Sequence, residues 1–334
     1  MDAPDQLTAV QYGVGPIGSR IVRAADGHGI EFLGAIDIDP DKVGRDLGQV
    51  ADIGRALGVT VTDAAAPVLE EDPDIVFHST VSSLEAARPQ LAEIIEAGVD
   101  VVSTTEELAY PWRKQPDLAN ELDALARDHG VSCLGAGINP GFVMDALPVF
   151  LTTPLDSVEA VHVERVQDAA ERRGPLQEKV GAGLASDRFE SEVAEAAGHV
   201  GSPESVAMIA DALGWELTAI TESIEPVIAD RSIETDHVSV EPGEVAGIRQ
   251  VARGEGPDRE RITLDLQMYV GADDPHDRVS FDGRPDIDVT VEGGYHGDIA
   301  TTAVIRNIAP RVIEGAPGLL TMLDVELPRY DPPA

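Results

Sequence analysis

The sequence predicts an α/β protein in which a doubly wound parallel sheet is followed by an α+β domain with a mixed or antiparallel sheet. Three observations favour this fold. Short apolar runs alternate with helical patterns in the first half of the chain, a glycine-rich turn follows the first run, and longer strand-like runs dominate after about residue 140. A late helical pattern at 298–314 is expected to return to the first domain. We therefore expect domains at 1–145 and 146–296, with the returning segment at 297–325.

Each predicted element follows from the spacing of its apolar residues and from the residue that ends it. In the first domain the continuous apolar runs that predict buried strands are 7–13, 31–38, 74–79, 99–103 and 131–138. The helical patterns between them, each ending at a glycine, are 17–27, 84–98 and 116–130. A helix is expected to end near residue 150. In the second domain the strand-like runs, interrupted by one helical pattern at 203–213, are 158–166, 216–228, 244–251, 261–270 and 286–292.

Charge is the unusual feature of the composition. Asp and Glu total 61 against 24 Lys and Arg, which gives a net charge of −37 at pH 7, and only three of the cations are lysines. An excess this large repels nucleic acid and anionic membrane surfaces, so neither is an expected partner. Because the acids are spread along the chain instead of forming a tail, we expect a halophilic protein whose self-repulsion is screened by concentrated salt.

Cysteine content and apolar runs bear on the location of the protein. The one cysteine, Cys133, excludes an intramolecular disulfide and a thiolate metal cluster, and its apolar surroundings predict a buried thiol. Residues 1–7 lack the basic and apolar regions of a signal peptide, and no apolar run approaches the ~20 residues that span a bilayer. We therefore expect a cytoplasmic protein without a membrane span. No HExxH pattern is present, and no metal site is expected.

The strongest motif is a glycine triad, GVGPIG, which follows a predicted strand and opens a predicted helix. Gly13 permits the tight turn, Gly15 lets a pyrophosphate approach the backbone, and Gly18 lets helix and strand pack closely. Pro16 and Ile17 belong to the same turn, where the helix amides and dipole favour phosphate. In this context the motif predicts a Rossmann domain that binds a dinucleotide; a tight turn without a ligand is the alternative.

A carboxylate at the end of the second predicted strand supports this interpretation. Asp37 lies 19 residues after Gly18, where a carboxylate accepts hydrogen bonds from the ribose hydroxyls. Asp37 favours NAD, because it would repel the 2′-phosphate of NADP. Lys42 and Arg45 could hold that phosphate if Asp37 turned away, although surface charge on a helix is the simpler interpretation of both. The expected cofactor is NAD or NADP, with a preference for NAD.

Three more strand ends carry polar candidates, because ligands of open α/β sheets bind at the carboxyl ends of the strands. Ser79 and Thr80 follow the third strand, and Thr104 follows the fourth. Asn139 and Pro140 shape a turn after the fifth strand. We expect all five residues to contact the dinucleotide.

The same strand ends carry candidates for catalysis. Glu106 and Glu107 follow the fourth strand and can face the nicotinamide, although two acids at a helix start are also typical of simple first-turn charges. His78 ends the third strand, where a lone histidine in an apolar run is more often a satisfied core group than a catalyst.

Substrate contacts are expected from the turn after the fifth strand and from the second domain. Phe142 ends that turn, whereas Arg165, Gln167 and Asp168 form a polar group after a predicted strand. His296 lies in a glycine-rich loop that opens the last helix. These five residues are the predicted substrate-binding set.

Several long motifs together resemble a known family. They are GVGPIG (13–18), STTEELAYPW (103–112), GINPGFVMDALP (137–148), RVQDAAERRGPLQEKVGAG (165–183), GGYHGDIATTAVIRN (293–307) and APGLLTMLD (316–324). In these segments the chain resembles the dihydrodipicolinate-reductase-like superfamily and, within it, the group of 2,4-diaminopentanoate dehydrogenases and native amine dehydrogenases. The resemblance implies an NAD(P)-binding Rossmann domain joined to an α+β substrate domain that also forms a homodimer.

The resemblance also implies the catalytic residue and the reaction. The acid after the fourth strand is the catalytic group of that family, and by motif position it is Glu106, with Glu107 as the fallback. The His-His pair and the lysine of a DAPSGTA-like segment, which true dihydrodipicolinate reductases carry, are missing from the sequence. A carboxylate attracts an iminium or ammonium ion and moves protons, whereas a carbonyl reductase needs a donor for an oxyanion.

We therefore expect oxidative deamination of a small amine or diamino acid, or in reverse the reductive amination of a ketone with ammonia. Two alternatives stay open on the sequence. One is a reductase of cyclic imines or aldehydes in amino-acid metabolism, and the other is a dinucleotide-binding sensor without turnover.

Overall fold

The computed structural model describes residues 6–189, 198–330 and 332. Most of the N-terminal segment on which the prediction of no signal peptide rests therefore lies outside the described residues. The chain divides into two compact units, of which the first combines Met1–Phe142 with Gly297–Ala334 and the second is Val143–His296.

The first unit is built on a parallel sheet of seven strands. The strands are β1 (Leu7–Tyr12), β2 (Ile30–Ile36), β3 (Val61–Thr62), β4 (Ile75–His78), β5 (Asp100–Ser103), β6 (Ser132–Gly135) and β15 (Gly318–Leu320). Their order is β15-β6-β5-β4-β1-β2-β3, and every pair is parallel. The chain leaves β1 toward β2 on one side and returns to β4 on the other, so the sheet has a topological switch point beside β1. The predicted doubly wound parallel sheet is confirmed.

Helices of the first unit connect these strands. They are α1 (Pro16–Ala25), α2 (Leu47–Val50), α3 (Ala66–Leu69), α4 (Leu84–Glu96), α5 (Pro116–His129) and α9 (Gly297–Ile313). Fully buried side chains such as Val76, Val101 and Cys133 fill the space between strands and helices, which explains why these strands are apolar throughout. Helix α9 packs on α1, so the predicted return of the C-terminal helix is also confirmed.

The second unit is built on a mixed sheet of six strands. Its strands are β7 (Ser157–Asp168), β8 (Ala219–Ile228), β11 (Val245–Glu255), β12 (Glu260–Tyr269), β13 (His276–Arg284) and β14 (Ile287–Glu292). The order is β14-β13-β7-β12-β11-β8, in which only β7 and β12 run parallel. The other elements described in this unit are α6 (Ala146–Leu151), α7 (Gly174–Lys179), α8 (Ser202–Ala212), β9 (Ile233–Glu234) and β10 (Ser239–Val240).

The two faces of this second sheet differ in chemistry. Helix α8 packs on β8, β11 and β12, over the face that carries Ile262 and Leu264. The opposite face carries ion pairs between neighbouring strands, such as Arg249 with Asp265 and Arg278 with Asp288. The period-two alternation of apolar and charged residues along these strands explains both faces.

Five of the described strands were not predicted: β13 and the short strands β3, β9, β10 and β15, of which β9 and β10 have two residues each. Strand β13 alternates charged and apolar residues and contains a glycine, so it lacks the apolar run by which the other strands were recognised. Strands β3 and β15 have two and three residues, too few to show a pattern. Within the described ranges, no helix combines the length and the apolar composition needed to cross a bilayer.

Candidate active site

The glycine turn lies between β1 and α1. Gly13 has φ +87°, and a Cβ at this position would stand 2.4 Å from the carbonyl oxygen of Ser79. A Cβ on Gly18 would stand 1.9 Å from the carbonyl oxygen of Gly13. By contrast, no described atom lies within 4 Å of a Cβ built on Gly15. Packing therefore requires two of the glycines, while the third borders open space at the N-terminus of α1, where a phosphate can approach the backbone.

Asp37 connects the end of β2 to this turn. Its carboxylate accepts hydrogen bonds from the amide of Val14 at 2.8 Å and from the amide of Asp39 at 2.9 Å. The ammonium of Lys42 lies 3.1 Å from Asp37 and 3.3 Å from Asp39. Burial opposes ionisation of Asp37, but the two amides and Lys42 outweigh it and hold its pKa below the ordinary value. The carboxylate is thus ionised and points toward the turn.

Gln11 braces the glycine turn and was not found from the sequence. Its side chain is fully buried, and its amide nitrogen lies 2.9 Å from both the carbonyl oxygen of Gly13 and the hydroxyl of Ser79. The hydroxyl of Ser79 also donates to that carbonyl, at 2.9 Å. The only signal in the sequence was a glutamine inside an apolar run. Ser79 therefore contacts the turn that would hold the dinucleotide.

His78 has partners on both ring nitrogens. Nδ1 lies 2.7 Å from the hydroxyl of Ser103, and Nε2 lies 2.8 Å from the side-chain oxygen of Gln90 and 3.0 Å from the hydroxyl of Thr80. Burial lowers the pKa of His78 to about 4, although the hydrogen bond to Gln90 opposes the shift. The ring is neutral at pH 7 and fully buried. It is a satisfied core histidine, which agrees with the simpler interpretation of the sequence.

The two acids after β5 differ in their surroundings. The carboxylate of Glu107 accepts hydrogen bonds from the amide of Leu84 at 2.8 Å, from Lys114 at 2.6 Å and from the side chain of Gln115 at 2.9 Å. Burial raises its pKa, but Lys114 and the other donors outweigh this and lower the pKa below its ordinary value. Glu107 therefore connects the turn after β5 to the start of α4 and to the side chains of Lys114 and Gln115. Glu106 is partly buried and begins a single 3-10 turn.

The turn after β6 lies against the start of α9. The amide of Ile138 donates to the hydroxyl of Thr301 at 3.3 Å, and the bond between Asn139 and Pro140 is cis. A Cβ on Gly141, which has φ +118°, would stand 2.6 Å from the amide nitrogen of Gly137. The segment is thus a tightly fitted turn.

The predicted cofactor residues follow five strands of one parallel sheet. The glycine turn follows β1, and Asp37 follows β2. Ser79 and Thr80 follow β4, and Thr104 follows β5. Because parallel strands end at the same edge of a sheet, all of them share the carboxyl edge with the turn after β6, which holds Asn139 and Pro140.

In the second unit, Arg165 forms a buried ion pair and holds a loop. It is 3% exposed, and its guanidinium lies 2.6 and 2.7 Å from the two carboxylate oxygens of Asp277. It also donates to the carbonyl oxygen of Tyr295 at 2.8 Å, and the amide of Tyr295 donates to Asp277 at 2.7 Å. Arg165 therefore fixes the glycine-rich loop before His296. Its positive charge is paired with Asp277 of the same unit.

The other predicted substrate residues occupy varied positions. Asp168 accepts hydrogen bonds from the amides of Ala170 and Gly271, both at 2.9 Å, so it too supports local backbone. Gln167 is buried, and its amide nitrogen would lie 2.7 Å from a Cβ on Gly294. Phe142 and His296 are partly buried. Gln167 and His296 thus adjoin the loop that Arg165 holds.

The sulfur and metal chemistry of the described residues is limited. Burial raises the pKa of the Cys133 thiol to about 12, so it is protonated at neutral pH. In the described parts of the chain, no group of three or more His, Cys, Asp or Glu side chains is arranged to hold a metal ion.

A doubly wound sheet whose glycine turn and β2 carboxylate face the same edge is the frame on which dehydrogenases bind a nicotinamide dinucleotide. The chain belongs to this class, the NAD(P)-dependent oxidoreductases. Residues 142–330 match the family model of the 2,4-diaminopentanoate dehydrogenase C-terminal domain. The chain is a member of the 2,4-diaminopentanoate dehydrogenase family, which confirms the resemblance drawn from the motifs.

Relatives of known name support this assignment. The 2,4-diaminopentanoate dehydrogenase of Acetoanaerobium sticklandii is 32% identical over 89% of this chain and 90% of its own length. An amine dehydrogenase of Streptomyces virginiae is 26% identical over 96% of each chain. The solved structure of an amine dehydrogenase from Mycobacterium smegmatis superposes with a TM-score of 0.84 at 27% identity, over 98% of each chain. A dihydrodipicolinate reductase from Paenisporosarcina shares the fold, with a TM-score of 0.54 at 12% identity over 96% of this chain and 98% of its own.

Proposed function

We propose that the protein catalyses the reversible oxidative deamination of a small primary amine or diamino acid, with Glu106 as the acid/base residue. The observation that carries the proposal is the position of Glu106. It begins the 3-10 turn after β5, at the same carboxyl edge of the sheet as the glycine turn and Asp37. Glu107, the next residue of that turn, accepts hydrogen bonds from the amide of Leu84, from Lys114 and from Gln115, which gives it a structural role. The names of the relatives support the substrate class.

A carboxylate at this position suits C–N chemistry. The substrate amine enters as an ammonium ion, which a carboxylate attracts, and it must lose a proton before hydride can leave its carbon. Glu106 takes that proton. The bound dinucleotide supplies the hydride acceptor.

Glu106 then acts on the water that completes the reaction. After releasing the first proton to solvent, it removes a proton from water as the oxygen attacks the cationic imine carbon, and it passes this proton to the nitrogen. The C–N bond then breaks as the hydroxyl becomes the ketone, and the hydroxyl proton passes through Glu106 to the departing ammonia. The products are ketone, ammonium ion and reduced cofactor, with one proton released per turnover.

The direct test is a set of three variants assayed at 340 nm in concentrated salt. We expect Glu106→Gln and Glu106→Ala to lower kcat by about 10²–10⁴, the usual contribution of a general acid/base. Binding of the dinucleotide, followed by fluorescence titration, is expected to stay unchanged. Unaltered turnover in both variants would remove Glu106 from the mechanism.

The matched control is Glu107→Gln, one residue away with the same change of charge. It loses the ion pair with Lys114, so we expect a lower melting temperature and a smaller loss of turnover than in Glu106→Gln. If the large loss of kcat occurs in Glu107→Gln instead, the fallback residue is the catalytic one.

Ammonia dependence tests the reaction class independently of any variant. In the reductive direction, oxidation of the reduced cofactor by a ketone is expected to require ammonium and to saturate with it. Equal rates with and without ammonium would identify a reductase of imines or carbonyl compounds.

We propose NAD as the preferred cofactor. The support is the ionised carboxylate of Asp37, which accepts from the amide of Val14 at 2.8 Å and retains Lys42 as its own counter-ion at 3.1 Å. Lys42 is therefore engaged by carboxylates instead of being available to a 2′-phosphate. Arg45 donates to the carbonyl oxygen of Asp41 at 3.3 Å.

We propose that Phe142, Gln167 and His296 contact the substrate. Arg165 and Asp168 support backbone of the second unit, at Tyr295 and at Ala170 and Gly271. The partners are a small amine or ketone and ammonia. The homodimer implied by the family and the cytoplasmic location also stay predictions. Sedimentation equilibrium in concentrated salt is expected to give twice the 35.3 kDa mass of one chain.

A further inference from the structure

A chain of hydrogen bonds, whose two inner links are buried, leads from α4 to the amide of Thr105, the residue before Glu106. It begins at Gln90, whose side-chain oxygen is 2.8 Å from Nε2 of His78. It continues from Nδ1 of His78 to the hydroxyl of Ser103 at 2.7 Å, and from that hydroxyl to the amide of Thr105 at 3.0 Å. His78 and Ser103 are both fully buried.

The direction of each hydrogen bond follows from the groups involved. The oxygen of Gln90 only accepts, and it also accepts from the hydroxyl of Thr80 at 2.6 Å, so Nε2 of His78 carries the proton. Nδ1 then has a lone pair and accepts from the hydroxyl of Ser103. The oxygen of Ser103 is left to accept from the amide of Thr105. From Gln90 to Thr105, each member therefore accepts a hydrogen bond from the next, and the groups involved allow no other set of directions.

The contact between Ser103 and Thr105 lies past the last residue pair of strands β4 and β5. The pairing of β4 with β5 ends at His78 and Ser103. Past it, the loops after the two strands are joined by backbone bonds from Thr104 to the carbonyl of His78 at 2.9 Å and from Glu107 to the carbonyl of Ser82 at 3.2 Å, and Thr105 lies between them. Thr105 is held by Ser103 and by its own hydroxyl, which donates to the carbonyl oxygen of Val81 at 2.8 Å. The side chains thus position the loop after the sheet's own hydrogen bonds have stopped.

We propose that His78, acting through Ser103, is a positioning residue that sets the location of Glu106. The proposal rests on the proposed catalytic role of Glu106. A neutral, buried imidazole is a rigid spacer, and it fixes the hydroxyl that in turn fixes the amide of Thr105. Displacing a catalytic group by about 1 Å can cost up to about 10²-fold in rate, so a contact at the preceding residue, Thr105, can control turnover without touching substrate.

The test is a double-mutant cycle with Ser103→Ala and Glu106→Gln. Ser103→Ala removes one oxygen and is expected to lower kcat about tenfold in the wild-type background. In the Glu106→Gln background the same substitution is expected to change kcat less than about twofold, because the residue through which it acts is already disabled. The dissociation constant of NAD is expected to stay constant throughout.

The matched control is Ser132→Ala on the neighbouring strand β6. Ser132 is also buried, at 1% exposure, and its hydroxyl donates to the carbonyl oxygen of Ala316 at 3.1 Å, away from Glu106. We expect it to lower stability with little change of kcat. An equal loss of kcat in Ser132→Ala, or an equal effect of Ser103→Ala in both backgrounds, would overturn the proposal.

A second pair of variants covers the case in which Ser103→Ala does not fold. His78→Asn retains an acceptor near the position of Nδ1, whereas His78→Leu retains none, so only the former is expected to preserve most of the turnover. Equal turnover of these two variants would also overturn the proposal. Failure of the catalytic assignment has a separate signature, because Glu106→Gln alone would then leave kcat unchanged.

Discussion

At the scale of single residues, Asp37 contacts both the glycine turn and Lys42, and its replacement is expected to change the cofactor preference. Its carboxylate accepts from the amide of Val14 in the glycine turn and pairs with Lys42. Replacing it removes the charge that repels a 2′-phosphate and releases Lys42 to bind one. Like charges placed together cost several kcal/mol, so we expect Asp37→Ser to shift the ratio of kcat/KM for NADP over NAD by about 10².

The control for this prediction is Asp41→Asn, which removes one charge from the same loop without touching Val14 or Lys42. Its cofactor ratio is expected to stay within about twofold of the wild type. If Asp37→Ser leaves the ratio unchanged, another residue selects the cofactor.

The buried ring of His78 predicts how the free energy of unfolding depends on pH. Its pKa is lowered by burial from the ordinary 6.5 to about 4, so between these values the unfolded chain binds a proton that the folded protein does not. Stability is therefore lost as pH falls below 6.5. At pH 5 the loss from this one group is about 2 kcal/mol relative to pH 7.

The measurement compares urea unfolding at pH 7 and pH 5, at constant high salt, for the wild type, His78→Asn and His129→Asn. The first variant is expected to lose about 2 kcal/mol less between the two pH values than the wild type. His129 is exposed at the end of α5 and serves as the control. Identical pH dependence of wild type and His78→Asn would contradict the assignment of a buried neutral ring.

At the scale of elements, the buried ion pair between β7 and β13 predicts a large loss of stability when one partner is removed. Arg165 and Asp277 are 3% and 2% exposed, so removing one partner leaves a charge buried without compensation. We expect Asp277→Asn to lower the free energy of unfolding by about 3–5 kcal/mol. Asparagine also offers only one acceptor oxygen in place of the two that now serve Arg165 and the amide of Tyr295.

A second pair in the same sheet provides the comparison. Arg249 and Asp265 also connect neighbouring strands, but the arginine side chain is 48% exposed. We expect Asp265→Asn to cost about 0–1 kcal/mol in denaturant unfolding. Equal costs for the two substitutions would mean that Arg165 is hydrated and that its charge is accessible to a substrate.

These elements also show what the sequence could predict. Strands such as β1 and β12 have local apolar patterns, and the glycine turn has a local motif, so all were found from the sequence. Strand β13 alternates charge with apolar residues and is recognisable only beside β7. Arg165 looked like a substrate contact because its partner is 112 residues away in the chain. The buried contacts of Gln11 and His78 depend in the same way on strand pairing, which short motifs do not encode.

At the scale of the whole molecule, charge is the dominant variable. The net charge is −37, and the ion pairs of the described residues are mostly exposed, such as Arg127 with Asp123 and Arg231 with Asp273. Exposed pairs contribute about 0–1 kcal/mol each, so they compensate little of the repulsion among the remaining carboxylates. Ions in solution must supply the rest of the screening.

We therefore predict that the folded protein requires concentrated salt. The Debye length is about 10 Å at 0.1 M and about 3 Å at 1 M, so repulsion between neighbouring surface carboxylates acts fully in dilute buffer and is largely screened in molar salt. The melting temperature is expected to rise steadily from 0.1 M to about 3 M KCl, with turnover following it. Sucrose at matched osmolality is the control, because it favours compact states without screening charge. An equal rise in sucrose, or full stability and activity at about 0.1 M salt, would show that the acidic composition has another origin.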